Sequence, residues 1–210
     1  MLPLCVDMTG RLAVVVGGGA VGRRKALALA ASAARVRVVC LEPKPSKPRW
    51  ADIEWRCEEY GAAHLEGAAL VVAAATPAVN AQVVADARAR GLWVNAASDP
   101  SQGNVHFPAT LRRGQLVVAL ATGGTVPALA RHLRLRLERI FDEAVTSWIE
   151  LLAELRPVIR DQVSDPTQRR RLWAELTRPQ WLRHLRRQGA DAVRTALLSH
   201  IAQAGGRADP

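Results

Sequence analysis

The sequence predicts an α/β fold, a doubly wound parallel sheet followed by a small all-helical C-terminal domain. Over the first half of the chain, short apolar runs alternate with helical stretches, which is typical of β-α-β units whose sheet is buried on both faces. The second half carries helical periodicity broken by prolines. With 49% hydrophobic and 23% charged residues, the 210-residue chain has the composition of a globular protein.

Apolar runs mark the predicted strands in chain order. Four of these runs predict the parallel sheet, at residues 12–16, 36–40, 69–74 and 92–95. A helix is expected at 79–90, before the fourth strand. Two further strands, at 105–107 and 115–120, are expected around a turn at 112–114, as an antiparallel addition to the edge of the sheet.

A long helix is expected after Gly124, with Pro127 in its first turn, where a missing N–H is tolerated. Arginines occupy most of its faces, and one face is apolar, formed by Leu129, Leu133, Leu137 and Ile140. From about Asp142 onward the periodicity predicts three or four helices, ending in a frayed tail at 205–210.

Positive charge dominates the chain. Lys and Arg number 29 against 19 Asp and Glu, which gives a net charge of +10. Such an excess indicates an anionic partner, either nucleic acid or a small molecule with many carboxylates or phosphates. The base composition of the genome explains an arginine excess equally well.

The composition also argues against several classes of protein. No apolar run reaches the roughly 18 residues of a membrane span, and the N-terminus does not resemble a signal peptide. Three cysteines without a C-x-x-C pair are too few for a disulfide framework, and the five histidines lack metal-site spacing. We therefore expect a cytoplasmic protein with no membrane partner and no bound metal.

A glycine motif follows the first predicted strand. Residues 17–22 read Gly-Gly-Gly-Ala-Val-Gly, which is the G-x-G-x-x-G pattern. The pattern lies directly after the first predicted strand and directly before a helix, and the next predicted strand follows at 36–40. In this context the pattern predicts a Rossmann-like dinucleotide site, because the glycines allow a tight turn, close approach of a pyrophosphate and close helix packing. The residues expected to hold the dinucleotide here are Gly17, Gly19, Ala20, Val21 and Gly22.

The choice between NAD and NADP depends on charged side chains near this motif. Glu42, just beyond the second strand, is the candidate acid for the ribose hydroxyls, and it favours NAD. Four cations could instead favour an adenosine 2′-phosphate: Arg23, Arg24, Lys25 and Lys44. Thr76 and Asn80 follow the third of the four parallel strands, at the edge where ligands of such sheets bind, and they are further cofactor candidates.

An ordered set of short motifs extends over about residues 2–140. These are Leu2-Pro3-Leu4, Val15-Val16-Gly17-Gly18-Gly19-Ala20-Val21, Arg24-Lys25, Ala74-Ala75-Thr76, Val79-Asn80, Asn95 with Asp99-Pro100, Phe107-Pro108-Ala109, and Thr122-Gly123-Gly124-Thr125 with Pro127-Ala128-Leu129-Ala130. With them the chain resembles the precorrin-2 dehydrogenases, a family that includes the N-terminal module of bacterial siroheme synthase.

The resemblance implies NAD-dependent oxidation of precorrin-2 to sirohydrochlorin in siroheme or cobalamin biosynthesis, followed in some members by insertion of iron or cobalt. It also implies a homodimer with an NAD-binding domain at 1–108, a dimerisation segment at 109–142 and a helical domain at 143–210. The carboxylates of precorrin-2 would give the arginine excess a partner. We expect the preceding methylation of uroporphyrinogen to belong to a separate polypeptide.

The resemblance also implies site residues. The family's catalytic aspartate falls on Ser98, and Asp99 is the next residue. Either Asp99 substitutes as the base, or water or a substrate carboxylate takes the proton, or one activity is lost, with metal insertion the first to suffer. His106 is a candidate base or metal relay, although a lone histidine on a strand is more often structural.

Substrate contacts are expected from the segment after residue 108. Arg112 and Arg113 are candidates for gripping carboxylates, with solvated turn arginines as the equal alternative. The turn formed by Thr122, Gly123 and Gly124 is a possible anion site, and we expect Thr125 to cap the helix that follows in addition to this ligand contact.

Two other functions remain open from the sequence. A non-catalytic protein that binds NAD and a tetrapyrrole is suggested by Ser98 in the place of an aspartate. A dinucleotide-sensing nucleic-acid binder is suggested by the charge of +10, although no recognition-helix motif is present.

Overall fold

The structure is a computed structural model that describes residues 1–205. It divides into two compact units, residues 1–107 and the part of the chain that begins at Pro108. The frayed tail expected at 205–210 lies, from residue 206 on, outside the described residues.

The first unit is a five-stranded parallel sheet with helices between its strands. Its elements are β1 (Leu12–Val16), α1 (Ala20–Ala30), β2 (Arg35–Cys40), β3 (Glu54–Cys57), β4 (Ala68–Ala73), α2 (Pro77–Ala89) and β5 (Trp93–Ala96). The strand order is β3-β2-β1-β4-β5, and every pair is parallel. The chain therefore winds outward from β1 in one direction and then in the other, which confirms the doubly wound Rossmann-like fold.

The sheet is buried on both faces. All five residues of β1 are buried, and alternate side chains point to opposite layers. Val14 and Val16 pack in the layer that contains Val83 of α2, whereas Ala13 and Val15 pack in the layer that contains Leu29 of α1. Burial on both faces explains why β1 is a continuous apolar run rather than an alternating one.

The expected antiparallel addition to this sheet was wrong. Residues 105–107 form no strand, and Val105 and Phe107 instead pack against the core on the α1 side. The two antiparallel strands are β6 (Ala109–Arg113) and β7 (Leu116–Leu120), which form a separate two-stranded sheet in the second unit. They pair with each other along their whole length through a two-residue turn that begins at Gly114, whose φ is +53°.

Five helices follow the hairpin within the described residues: α3 (Pro127–Ile140), α4 (Glu143–Gln162), α5 (Pro166–Leu176), α6 (Pro179–Gln188) and α7 (Ala190–Gly205). The Asp142 carboxylate caps α4 by accepting from the Val145 N–H, and Asp165 caps α5 in the same way. Helices α4 to α7 share one core, formed by Leu151, Leu155, Ile159, Leu172, Leu176, Leu197 and Ile201, among others. The predicted helical C-terminal domain is therefore confirmed.

Helix α3 differs from its neighbours in its burial. Ala130 is its one buried residue, and the predicted apolar face is largely uncovered, with Leu129, Leu133 and Ile140 exposed by 46%, 37% and 59%. Arg131, Arg134, Arg136 and Arg139 lie on its other faces. Across residues 1–205, no helix is both long enough and apolar enough to cross a membrane.

The shared core of α4 to α7 can be tested at two adjacent leucines of α7. Leu197 is fully buried, whereas Leu198 is 39% exposed. Leu197→Ala should lower the free energy of unfolding by about 2–5 kcal/mol because it leaves a cavity. Leu198→Ala should change it by roughly 0.5 kcal/mol or less.

Urea unfolding followed by far-ultraviolet circular dichroism, at one protein concentration, measures both changes. Equal losses for the two variants would contradict the assignment of Leu197 to the core of the helical unit.

Candidate functional site

The glycine motif forms a tightly packed elbow between β1 and α1. The Gly17 N–H donates to the Val39 carbonyl at 2.8 Å, and the φ of Gly17 is +114°. A Cβ on Gly17 would lie 2.3 Å from the Ala74 carbonyl oxygen, and one on Gly22 would lie 2.0 Å from the Gly17 oxygen. Both residues must therefore be glycine for the chain to fold this way.

Gly19 differs from these two glycines. A Cβ added there would meet no atom within 4 Å, and its φ of −70° suits any residue. Gly19 is the N-cap of α1, and the first turn of α1 carries no acidic side chain. The first N–H groups of a helix lack partners within the helix, and they attract anions. The geometry thus fits a dinucleotide pyrophosphate that approaches the backbone at Gly19.

Glu42 lies beside this elbow, as the sequence predicts. One of its carboxylate oxygens lies 2.8 Å from where a Cβ of Gly18 would be, so Gly18 leaves room for it. The Glu42 carbonyl accepts hydrogen bonds from Trp55 Nε1 at 2.8 Å and from Cys40 Sγ at 3.3 Å, which holds the loop after β2. Burial raises the pKa of Cys40 to about 11, so this thiol stays protonated.

At the carboxyl ends of β4 and β5, Asn80 links two chain segments. It is buried in the first turn of α2, where its Oδ1 accepts from the Ala75 N–H at 2.8 Å. Its Nδ2 donates to the Ala75 carbonyl at 3.1 Å and to Ser98 Oγ at 3.0 Å. Thr76 is the exposed N-cap of α2 and makes no side-chain capping bond. Thr76, Asn80 and Ser98 therefore lie together at this edge.

The Asp99 carboxylate is used within its own turn. It accepts from the Ser101 hydroxyl at 2.6 Å, from the Ser101 N–H at 3.1 Å and from Gln102 Nε2 at 2.9 Å. The hydrogen bonds from Ser101, and then that from Gln102, lower the pKa of Asp99 below its usual value. A carboxylate held in this way is a weak base.

The other candidates near this edge have different surroundings. His106 is exposed and has no hydrogen-bond partner among residues 1–205. Asn95 is buried, and its Nδ2 donates to the Val105 carbonyl at 2.8 Å while its Oδ1 has no partner. Within residues 1–205, no three His, Cys, Asp or Glu side chains form a group that could hold a metal ion.

Two of the four cations considered for a 2′-phosphate, Lys25 and Lys44, make contacts with other parts of the first unit. The Lys25 ammonium lies over the Phe107 ring, 4.1 Å from its centroid, and burial followed by the charge of Arg24 lowers the pKa of Lys25 to about 8. Lys44 Nζ donates to the carbonyls of Ala51 and Ile53 at 3.1 and 2.7 Å. Both lysines therefore have contacts within the fold.

Arg23 and Arg24 line a cavity of about 420 Å³ next to Ala20, the first residue of α1. Lys47 and Arg49, from the loop after β2, line the same cavity. Sequence reasoning missed these two residues. The signal that could have identified them is their position after the second strand, a few residues beyond Glu42, which is expected to bind the ribose.

The candidate substrate residues belong to the second unit. Arg113 and Arg112 end β6 rather than forming the turn, which corrects their expected position. Arg113 Nε donates to the Phe141 carbonyl at 3.1 Å, so this guanidinium ties the hairpin to the end of α3.

The segment of Thr122, Gly123 and Gly124 is a turn in which both glycines have positive φ. The hydroxyl of Thr125 donates to the Thr122 carbonyl at 2.6 Å. The N-cap of α3 is Val126, so the expectation that Thr125 caps this helix was wrong.

Both parts of the chain match known protein families. A family model described as putative NAD(P)-binding matches residues 4–109, and one described as the sirohaem synthase dimerisation region matches residues 144–201. The segment 109–142, expected to mediate dimerisation, therefore lies almost entirely between the two matched regions.

Several siroheme synthases are similar in sequence. That of Pseudomonas entomophila is 39% identical over 198 residues, which is 92% of this chain and 43% of that protein. Siroheme synthase 2 of Aeromonas hydrophila is 37% identical over 174 residues, which is 82% of this chain and 37% of that protein. The chain spans about two fifths of the length of these relatives.

A solved structure is similar over the whole chain. SirC, a precorrin-2 dehydrogenase, matches with a TM-score of 0.78 and 25% identity, over 97% of this chain and 100% of that one. The matches cover both the elbow and the helical part, and they confirm the resemblance that the sequence motifs predict. The chain therefore belongs to the family of precorrin-2 dehydrogenases and siroheme synthase N-terminal modules.

Proposed function

We propose that the chain binds NAD at the glycine elbow and oxidises precorrin-2 to sirohydrochlorin, in siroheme or cobalamin biosynthesis. The observation that carries this proposal is Gly19. No contact within residues 1–205 requires a glycine there, whereas a pyrophosphate at the N-terminus of α1 would require one. The family match over residues 4–109 and the likeness to SirC support the same function.

The residues of the elbow would each hold a different part of the cofactor. The N–H groups of Ala20, Val21 and Gly22 lie in the first turn of α1, where they can donate to the pyrophosphate. The Glu42 carboxylate can accept hydrogen bonds from the ribose hydroxyls. Thr76 leaves its hydroxyl exposed at the edge of the sheet. When bound, NAD supplies a hydride acceptor.

A proton must also leave the substrate, and Ser98 and Asp99 are poorly suited to accept it. Ser98 accepts a hydrogen bond from Asn80, which fixes its position but gives it no basic partner. Asp99 is held by Ser101 and Gln102. These contacts favour water or a substrate carboxylate as the proton acceptor, so the protein's role is to position cofactor and substrate. Neither Ser98 nor Asp99 offers an unengaged carboxylate, so metal insertion is not part of this proposal.

The substrate would be recognised through its carboxylates. Arg112 is exposed at the end of β6, and Arg113 directs its Nε to the Phe141 carbonyl; both remain candidates for holding a carboxylate. The turn of Thr122, Gly123 and Gly124 would add backbone donors. These assignments are part of the proposal, whereas the role of His106 as a base or metal relay stays a prediction.

We also assign a homodimer of this chain as the working assembly. The uncovered leucines of α3 need a covering surface, and a second copy would provide one. The family model that matches residues 144–201 is described as a dimerisation region, which supports the same assembly. The proposed division is a cofactor domain at 1–108, a dimerisation segment at 109–142 and a helical domain at 143–210.

The proposed location of the protein is the cytoplasm. Free thiols at Cys5, Cys40 and Cys57 suit this reducing compartment.

A second candidate function is binding of NAD and a tetrapyrrole without turnover. Ser98 at the position of the family's aspartate, together with the engagement of Asp99 in its own turn, favours it. Turnover of precorrin-2 separates the two candidates.

Binding at the elbow is tested by Gly19→Ala. The new methyl group meets no atom of the described part of the chain within 4 Å, so the free energy of unfolding should change by less than about 1 kcal/mol. It would lie where the pyrophosphate approaches, and the Kd for NAD, measured by calorimetry, should rise by about tenfold or more.

Gly61→Ala is the matched control. An added Cβ there would meet only His64 Nδ1, at 3.9 Å, and Gly61 lies outside the elbow. It should change neither stability nor binding. Unaltered NAD affinity in Gly19→Ala would remove the elbow from the binding site.

The chemistry is tested by an anaerobic assay of precorrin-2 with NAD, in which NADH and sirohydrochlorin are followed by absorbance. The unaltered chain should form both products. Asp99→Asn should retain turnover within about threefold, because a general base contributes about 100-fold or more and this carboxylate is engaged elsewhere. Ser98→Asp should raise any rate of metal insertion, because it supplies a carboxylate beside Asn80.

A 100-fold loss in Asp99→Asn would identify Asp99 as the base after all. NAD binding without product formation by the unaltered chain would favour the non-catalytic function.

A further inference from the structure

We propose that a basic pocket beside the elbow binds the 2′-phosphate that distinguishes NADP from NAD, so that the chain binds NADP at least as tightly as NAD. The basic pocket is the cavity lined by the cations Arg23, Arg24, Lys47 and Arg49. This inference rests on the proposed function, because it assumes that a dinucleotide occupies the elbow.

The cations of the basic pocket lack counter-ions. None of the four forms an ion pair with an acid within residues 1–205, and no acidic side chain lines the cavity. Arg23 Nε is buried and has no hydrogen-bond partner. A buried donor without a partner is unfavourable, and four like charges around one cavity repel each other. A dianion in the basic pocket would relieve both effects.

Aromatic rings hold two of the guanidinium groups in place. Arg23 lies over the Trp55 ring at 5.9 Å, and Arg49 lies over the Trp50 ring at 5.8 Å. Trp50 is buried, so it provides a rigid surface. Such contacts lower the conformational entropy that the arginines would lose on binding an anion. Two of the four cations of the basic pocket are therefore preorganised.

The position of the basic pocket matches the ribose end of a dinucleotide. Ala20, Arg23 and Arg24 are spaced by three and four residues, so they share one face of α1 that begins at the elbow. Lys47 and Arg49 come from the loop after β2, the strand beyond which the ribose hydroxyls are recognised in this type of fold. In such folds an arginine at this place accommodates a 2′-phosphate.

The Glu42 carboxylate disfavours binding of a 2′-phosphate. Its carboxylate lies against Gly18 and does not line the basic pocket. It would accept hydrogen bonds from ribose hydroxyls and repel a nearby phosphate. The four unpaired cations outweigh this one acid, which explains how the chain can bind both dinucleotides.

Calorimetric titrations of the full chain test the proposal with two pairs of ligands. NADP is compared with NAD, and 2′,5′-ADP is compared with 5′-ADP, so that the second pair reports on the 2′-phosphate without the nicotinamide half. The unaltered chain should bind the 2′-phosphorylated member of each pair at least as tightly as the other.

Lys47→Ala and Arg24→Ala remove exposed cationic ends from the basic pocket. Each should weaken binding of NADP and 2′,5′-ADP by about tenfold, the effect of losing one charge-assisted contact, and change NAD binding by about twofold or less. Arg88→Ala removes the same charge from the exposed end of α2 and should alter neither. Glu42→Gln should tighten NADP binding and weaken NAD binding.

The failures of the two proposals are distinguishable. If NAD binds but NADP and 2′,5′-ADP bind more weakly than their partners, the basic pocket is not a phosphate site, and the proposed function stands. If Arg88→Ala weakens NADP binding as much as Lys47→Ala does, the effect is one of overall charge, and the assignment of the basic pocket is wrong. If neither dinucleotide binds, the proposed function itself fails.

Discussion

The close approach of Gly17 to the backbone of Ala74 is the contact on which the rest of the first unit depends. With any side chain at Gly17, β1 and the end of β4 could not pass each other as they do. This contact and the matching one between Gly22 and Gly17 aim the N-terminus of α1 at the carboxyl edge of the sheet. Glu42, from the end of β2, then reaches the same place. The chemistry of the site is thus a consequence of backbone packing.

The sequence predicts the parts of the fold that are buried on both faces. A strand such as β1 is a continuous apolar run because helices cover both of its sides, and this pattern is visible without a structure. An edge strand that is exposed on its faces lacks that signal. Strand β3 has no buried residue, so nothing in its sequence marked it. The apolar residues Val105 and Phe107 predict a strand, although their side chains pack on the core from a loop.

In the candidate site, too, some features have a local sequence signal and others do not. The glycine motif and Glu42 are local signals tied to a known geometry, and the structure brings them together. The link between Asn80 and Ser98 joins residues 18 positions apart, and the basic pocket joins α1 to a loop more than twenty residues later, so neither is visible as a pattern. Asp99 shows the opposite problem, because a residue type that suits catalysis also suits the capping of a short turn.

The uncovered leucines of α3 have a consequence for how the protein behaves when it is dilute. An apolar stripe that water must solvate in the single chain raises the free energy of that state, and covering it with a second chain lowers it. Folding and association are then one linked equilibrium, so the thermal midpoint of this protein would rise with its concentration. The protein would therefore be less stable at a low cellular concentration than at a high one.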